Sequence, residues 1–148
     1  WEVASGVKHI PFNALDAGYV INREAYQEYF RKMHVLFPKC KKMVMALRNQ
    51  LASSHHTLTG LLYDAVHDSL YTTKIYDIQP IVDPMGVGDA FVAGYIHAHQ
   101  KWAADNQYCL DFALSASALK NTIPGDQNLV TEEEIISNLT SSGGRIQR

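Results

Sequence analysis

Several things are scarce in this chain, and each scarcity excludes a class of protein. It has two cysteines in 148 residues, Cys40 and Cys109, and no CxxC pair. That rules out a disulfide scaffold or Cys-ligated zinc site, and reduced thiols in a cytoplasmic protein are the expectation. Neither sign of charge dominates: 13 Lys+Arg against 15 Asp+Glu leave a net charge of −2, with no basic stripe. Nucleic acid is therefore not expected as the main partner. No apolar run approaches the roughly 18 residues of a membrane span, and no signal peptide is evident, so no membrane partner is expected. Internal repeats and low-complexity linkers are also lacking.

What is present suits a globular domain. Hydrophobic residues make up 47% and charged residues 19%, and a chain of this length buries about 70% of its unfolded surface. The first residues, Trp1 to Gly6, read as a helix end closed by a glycine C-cap, which suggests that the chain starts in mid-fold. Asn22 suits the N-cap of a helix running to about Phe37, with Pro38 as its stop. Tyr26, Tyr29, Phe30, Met33 and Phe37 recur at spacings of three and four, which marks one buried face.

After a basic lead-in, residues 41–47 read as a short buried strand followed by a loop, Arg48-Asn49-Gln50. Residues 57–63 and 70–76, rich in Thr, Leu and Tyr, flank Asp64 to Asp68 and predict a hairpin. Helices follow over about 89–102 and 107–120; Ala90, Ala93, Gly94 and Ala98 on the first permit close backbone packing, and Ala113, Ala116 and Ala118 make the second small-faced as well. The run Thr122-Ile123-Pro124-Gly125-Asp126 breaks the second helix. Thr131 with Glu134 forms a capping box for a last helix. Residues 140–148 are polar and are expected to be a flexible tail. Strand, hairpin and paired helices together indicate an α/β layered domain.

The most informative stretch is Ile81-Val82-Asp83-Pro84-Met85-Gly86-Val87-Gly88-Asp89-Ala90-Phe91. Gly86 and Gly88 permit backbone angles and close approaches that a Cβ blocks. The N–H groups of Gly86, Val87, Gly88 and Asp89 can then converge on an anion at the start of a helix. Asp89 stands at the same end, placed to accept a proton from a hydroxyl as it attacks a phosphoryl group. On the turn alone, a helix N-terminal acid above a tight turn is the favoured reading. A dinucleotide-binding turn fits badly, because the third glycine of GxGxxG would fall at Phe91. A P-loop is excluded, since no Gly-Lys-Ser/Thr follows.

The run Asp83 to Phe91 resembles the C-terminal signature Asp-Thr-x-Gly-Ala-Gly-Asp-x-Phe of the ribokinase-like (PfkB) carbohydrate kinases. With Leu47-Arg48-Asn49 upstream and Ile123-Pro124-Gly125-Asp126-x-Asn128 downstream, it is most similar to the bacterial 2-dehydro-3-deoxygluconokinases. The resemblance covers residues 1–139. It implies the C-terminal, ATP-side part of a three-layer α/β/α, Rossmann-like domain with a mostly parallel sheet, its N-terminal half and lid absent. An isolated half would expose an apolar sheet edge and associate.

The implied activity is ATP-dependent phosphorylation of a sugar acid, 2-keto-3-deoxygluconate at O6, with Mg²⁺ and K⁺ as further cofactors. Another PfkB sugar, such as fructose or ribose, or a non-catalytic nucleotide- or anion-binding fragment, is the alternative. A homo-oligomer is implied for the full-length protein. By position, Asp89 matches the catalytic base, and Gly86, Val87 and Gly88 match the anion hole. Asp83 matches an acid near a monovalent-cation or metal–phosphate site. Arg48 and Asn49 stand where relatives face the nucleotide, and Ser117, Asn121 and Gly125 where they wall the adenine pocket. Two departures stand out. Pro84 replaces the usual Thr, and the Arg48-Asn49-Gln50 stretch lacks the glycines many relatives have. Arg48 suits a phosphate or a carboxylate, and a surface ion pair equally well.

Other polar residues read as structural. His55-His56 is expected to be a solvent-exposed pair. His97 and His99 point to different helix faces and do not suit a shared metal. Glu132, Glu133 and Glu134 form a first-turn acid cluster favoured by the helix dipole.

Overall fold

The computed structural model describes residues 2–140; the expected flexible tail lies outside them, apart from its first residue. A short helix α1 (Glu2–Ser5) ends at Gly6, whose φ of 70° is the left-handed C-cap expected there. Asn22 then caps α2 (Arg23–Leu36), its side-chain oxygen accepting the Ala25 N–H at 3.1 Å. Tyr26, Tyr29, Phe30 and Met33 are buried as the spacing requires. Phe37 is not: it falls one residue past the helix and is exposed.

Four strands follow: β1 (Lys42–Ala52), β2 (His55–Asp64), β3 (Ser69–Thr72) and β4 (Tyr76–Ile78). β2 is the centre of the sheet. β1 pairs along one of its edges, while β3 and β4 share the other, β3 opposite Leu61 to Asp64 and β4 opposite His56 to Leu58. All three pairings are antiparallel, which corrects the expectation of a mostly parallel sheet. The physical reason lies in the connections. Two to four residues join consecutive strands, enough for a hairpin and far too few for the crossover that parallel neighbours need. The predicted hairpin is the β2–β3 pair. Where β3 stops and β4 begins, Thr73 fills the gap: its Oγ1 accepts the Gly60 N–H at 2.9 Å and its N–H donates to the Gly60 carbonyl.

Residues of β2 alternate between two faces. Leu61 and Tyr63 pack with Leu70 against Tyr26, Tyr29, Phe30 and Met33 of α2. Leu58 and Leu62 pack on the other face against Leu110, Leu114 and their neighbours. Each fully buried large apolar side chain contributes about 1.5–3 kcal/mol, so this doubly covered strand anchors both cores. β1 differs from expectation. None of its residues is buried, because it is an edge strand with neighbours on one side only, and it continues through Arg48, Asn49 and Gln50 instead of ending in a loop at Leu47.

The second core is built by α3 (Val87–Trp102) and α4 (Asn106–Lys120), with α5 (Glu132–Thr140) beside α4. The small residues of the two helices meet one another. A Cβ on Gly94 would lie 3.0 Å from the Ala116 Cβ and 3.1 Å from the Ala113 Cα. Asp105 caps α4 through the Tyr108 N–H at 2.9 Å. Thr131 and Glu134 form the reciprocal capping box of α5, at 2.9 and 3.2 Å. No described helix is long and apolar enough to cross a membrane.

Candidate active site

Two loops meet at the N-terminus of α3. One is the 83–86 turn, the other the 121–126 segment that follows α4. Val82 and Asp83 donate their backbone N–H groups to the Asn121 carbonyl at 2.8 and 3.3 Å. The Asp83 carboxylate accepts the Met85 N–H at 2.9 Å with one oxygen and the Gly125 N–H at 2.8 Å with the other. These donors, Met85 first and then Gly125, hold the Asp83 carboxyl below the usual carboxylate range against its partial desolvation, and the Lys120 charge adds to the effect. Asp83 therefore fastens the turn to the second loop.

Gly86 adopts φ 73°, and a Cβ there would lie 2.2 Å from the Asp126 carbonyl oxygen. Left-handed backbone and a backbone-to-backbone approach both demand glycine. Gly86 also occupies the N-cap position of α3, which has no side-chain cap. The first intrahelical donor is the Ala90 N–H, on the Gly86 carbonyl at 2.8 Å. The N–H groups of Val87, Gly88 and Asp89 precede it and are the free donors of the terminus, at the positive end of the helix dipole.

Gly88 is a different case. It is exposed, its φ is not left-handed, and a Cβ there would meet nothing within 4 Å. Neither backbone geometry nor packing calls for a glycine, so close approach by something outside the chain is the physical use left for it. Asp89 follows, exposed, in the first turn of α3.

Ser117 and Asn121 stand beneath this turn and do not line an open pocket. Ser117 is 1% exposed, and its hydroxyl donates to the Val87 carbonyl at 2.9 Å. Asn121 is wholly buried, with Nδ2 donating to the Ser117 carbonyl at 3.0 Å. Ser117 thus props the first residue of α3 from below, while Asn121 ties to the Ser117 carbonyl and, through its own carbonyl, holds the 82–83 backbone. Gly125 joins the site through its N–H to Asp83, at φ 80°.

Arg48 and Asn49 are not joined to the turn by any hydrogen bond among the described residues. Asn49 donates to the Ala14 carbonyl at 2.9 Å, which Thr57 also holds, at 2.8 Å; this ties the segment before α2 to the sheet. Arg48 is an exposed residue of β1. The His55-His56 expectation is corrected as well. His55 pairs with Asp77 at 2.6 Å, and His56 is 1% exposed, on the helix-covered face of β2. Among the described residues no group of three or more His, Cys, Asp or Glu side chains could hold a metal. Sequence reasoning missed Lys120, which is fully buried at the end of α4 with Nζ on the Ile123 carbonyl at 3.0 Å. The only available signal was a lysine closing an otherwise small and apolar helix.

No protein-family model and no curated protein matches the chain. Solved structures do. The 2-dehydro-3-deoxygluconokinase of Thermotoga maritima matches 81% of the chain with a TM-score of 0.74 and 28% identity. A PfkB family carbohydrate kinase from Listeria grayi matches 77% with a TM-score of 0.72 and 30% identity. A third structure, from Enterococcus faecalis, matches 81% at a TM-score of 0.67 and 21% identity, and bears on the fold alone. The chain spans only 35% of the length of each of the first two. Its structural neighbours are thus carbohydrate kinases, over about a third of their length.

Proposed function

We propose that this chain is the phosphate-handling part of a ribokinase-like, three-layer sugar kinase that transfers the γ-phosphoryl group of ATP to a sugar acid hydroxyl. The observation that carries this reading is the pairing of Gly88, a glycine with no packing reason to be one, with an uncapped helix start and the exposed carboxylate of Asp89. An anion cradle and a proton acceptor side by side are what phosphoryl transfer to a hydroxyl requires. The kinase neighbours support the same reading.

In this mechanism Asp89 accepts the proton of the substrate hydroxyl as its oxygen bonds to the γ-phosphorus. The bond from that phosphorus to the bridging oxygen breaks, and ADP leaves with the electron pair. The N–H groups of Gly86, Val87 and Gly88 stabilise charge on the phosphoryl oxygens. Positioning and charge stabilisation carry most of the barrier reduction in such reactions. Bound Mg²⁺ would neutralise charge on the nucleotide phosphates. Asp83, with both oxygens on backbone N–H groups, keeps the cradle in shape, and is the residue that would stand beside a bound K⁺. Ser117 and Asn121, both buried, form the support beneath the nucleotide side, and Gly125 fastens its second loop through Asp83. The substrate we assign is 2-keto-3-deoxygluconate, phosphorylated at O6 in a cytoplasmic setting, with Arg48 as a candidate for its carboxylate or a phosphate. The Thermotoga maritima neighbour supports that choice.

A second reading is favoured by one observation, the 35% coverage of the neighbours: the chain by itself binds a nucleotide or anion without turning over sugar. Assay of ATP, Mg²⁺ and 2-keto-3-deoxygluconate with the chain, beside a kinase-length version of it, separates the two. In the version that turns over, Asp89→Asn lowers kcat by about 10²–10⁴. A loss of only a few-fold overturns the base assignment, and preference for ribose or fructose overturns the substrate while leaving the kinase reading intact.

A further inference from the structure

The 122–126 loop is held between opposite charges. On its inner side the fully buried Lys120 ammonium donates to the Ile123 carbonyl at 3.0 Å. On its outer side the Asp83 carboxylate accepts the Gly125 N–H at 2.8 Å. The peptide dipoles between them are thus gripped at a carbonyl by a cation and at an amide by an anion. The same loop presses the Asp126 carbonyl directly onto Gly86, at a distance no side chain would permit. Any shift of this loop therefore acts on the cap residue of α3 and on the N–H groups that follow it. Among the described residues the Lys120 ammonium has the Ile123 carbonyl as its partner and no ion pair, and its charge adds to the lowering of the Asp83 carboxyl. A buried cation without a contact counter-ion is costly, and a merely structural tie to one carbonyl would be met more cheaply by a neutral donor.

We infer that Lys120 is a positioning residue for the phosphate site: it clamps the 122–126 loop against Gly86 and supplies a fixed positive charge beneath the anion-binding turn. This rests on the reading of the Gly86–Asp89 turn as a phosphate cradle, and adds to it the residue that holds the cradle closed.

The test is a titration of the ¹⁵N-labelled chain with inorganic phosphate and with ATP–Mg²⁺, following the amide resonances of residues 86–89 and 125. The wild-type chain shows saturable shifts at residues 86–89. Lys120→Met weakens anion affinity about ten-fold and moves the Gly125 amide, while Lys120→Arg, which keeps the charge, stays within about three-fold of wild type. Should the methionine variant not fold, Lys120→Gln, which keeps a donor for Ile123 without the charge, carries the same comparison. Wild-type affinity in a folded neutral variant overturns the role of Lys120 and leaves the phosphate cradle standing. Absence of any response at residues 86–89 in the wild-type chain overturns the cradle itself, and the inference with it.

Discussion

Gly86 and Asp126 meet backbone to backbone: a Cβ on Gly86 would lie 2.2 Å from the Asp126 carbonyl oxygen and 3.1 Å from its carbonyl carbon. Neither atom is the end of a flexible side chain, so an alanine at position 86 must displace the whole 122–126 loop. It must also hold φ near 73°. Together these make Gly86→Ala destabilising by about 3 kcal/mol. The urea midpoint of the variant checks this, with Gly125→Ala as the comparison. Gly125 shares the left-handed backbone but has open space around it, and its replacement costs about 1 kcal/mol. Equal losses in the two variants would show that backbone strain alone, and not the approach of Asp126, sets the requirement at position 86.

Gly88→Ala is expected to separate stability from ligand affinity. The position lies in α3, and an added Cβ would have nothing within 4 Å of it, so alanine stabilises the fold by about 0.5–1 kcal/mol through its helix propensity. The same methyl group stands over the free N–H groups and obstructs an anion. Phosphate affinity should fall about ten-fold or more while the urea midpoint rises. A variant that gains stability and keeps its affinity would remove Gly88 from the site.

The difference between these two glycines also marks how far the sequence could be read. Periodicity exposed α2, because Tyr26, Tyr29, Phe30 and Met33 all face one core. Local hydrogen-bond chemistry exposed its cap at Asn22 and the Thr131–Glu134 box, since both need only neighbours in sequence. The sheet was harder. Its antiparallel order follows from connection lengths once the strand ends are known, but β1 runs five residues past Leu47, where the apolar run gives way to Arg48-Asn49-Gln50. For the site, the turn from Asp83 to Asp89 was legible as a motif. What lies beneath it was not: Ser117 reaches the Val87 carbonyl of α3 and the Asn121 carbonyl holds Val82 and Asp83, partners remote in sequence, while Lys120 is buried on a local tie to Ile123 that composition does not reveal. Whether a serine in a small-residue helix lines a pocket or props a neighbouring helix depends on which face meets the partner, and composition does not carry that information.

Acid should loosen the fastening made by Asp83. Its carboxyl is held below the ordinary value of 3.8, chiefly by the Met85 and Gly125 N–H groups. A depressed carboxyl in the folded state contributes stability that is fully present above the unfolded pKa and is lost as pH falls through the folded one. Melting temperatures of the wild type and of Asp83→Asn should therefore differ at about pH 6, with the wild type higher, and converge as pH falls from the ordinary value of 3.8 through the lower folded one. A gap that is independent of pH would mean that the carboxylate charge contributes nothing to the junction of the two loops.

His56 makes the opposite demand on pH. It is 1% exposed on the helix-covered face of β2, and neither ring nitrogen has a hydrogen-bond partner among the described residues. Burial, reinforced by the charges of Arg48 and His55, lowers its pKa from the ordinary 6.5. Below that ordinary value the unfolded chain takes up the proton first, so stability falls as pH drops from 6.5 toward the depressed folded pKa and is unaffected above it. The difference between wild type and a His56 variant isolates the buried ring. His56→Leu removes two unsatisfied polar atoms and should stabilise the chain by about 1 kcal/mol at neutral pH. The advantage should widen as pH is lowered from about 7 to 5, because the variant no longer carries a proton site that only the unfolded state can fill. Denaturant titrations of both proteins across that range decide the matter. Parallel stability curves would mean that the His56 ring finds a partner able to accept its proton in the folded chain.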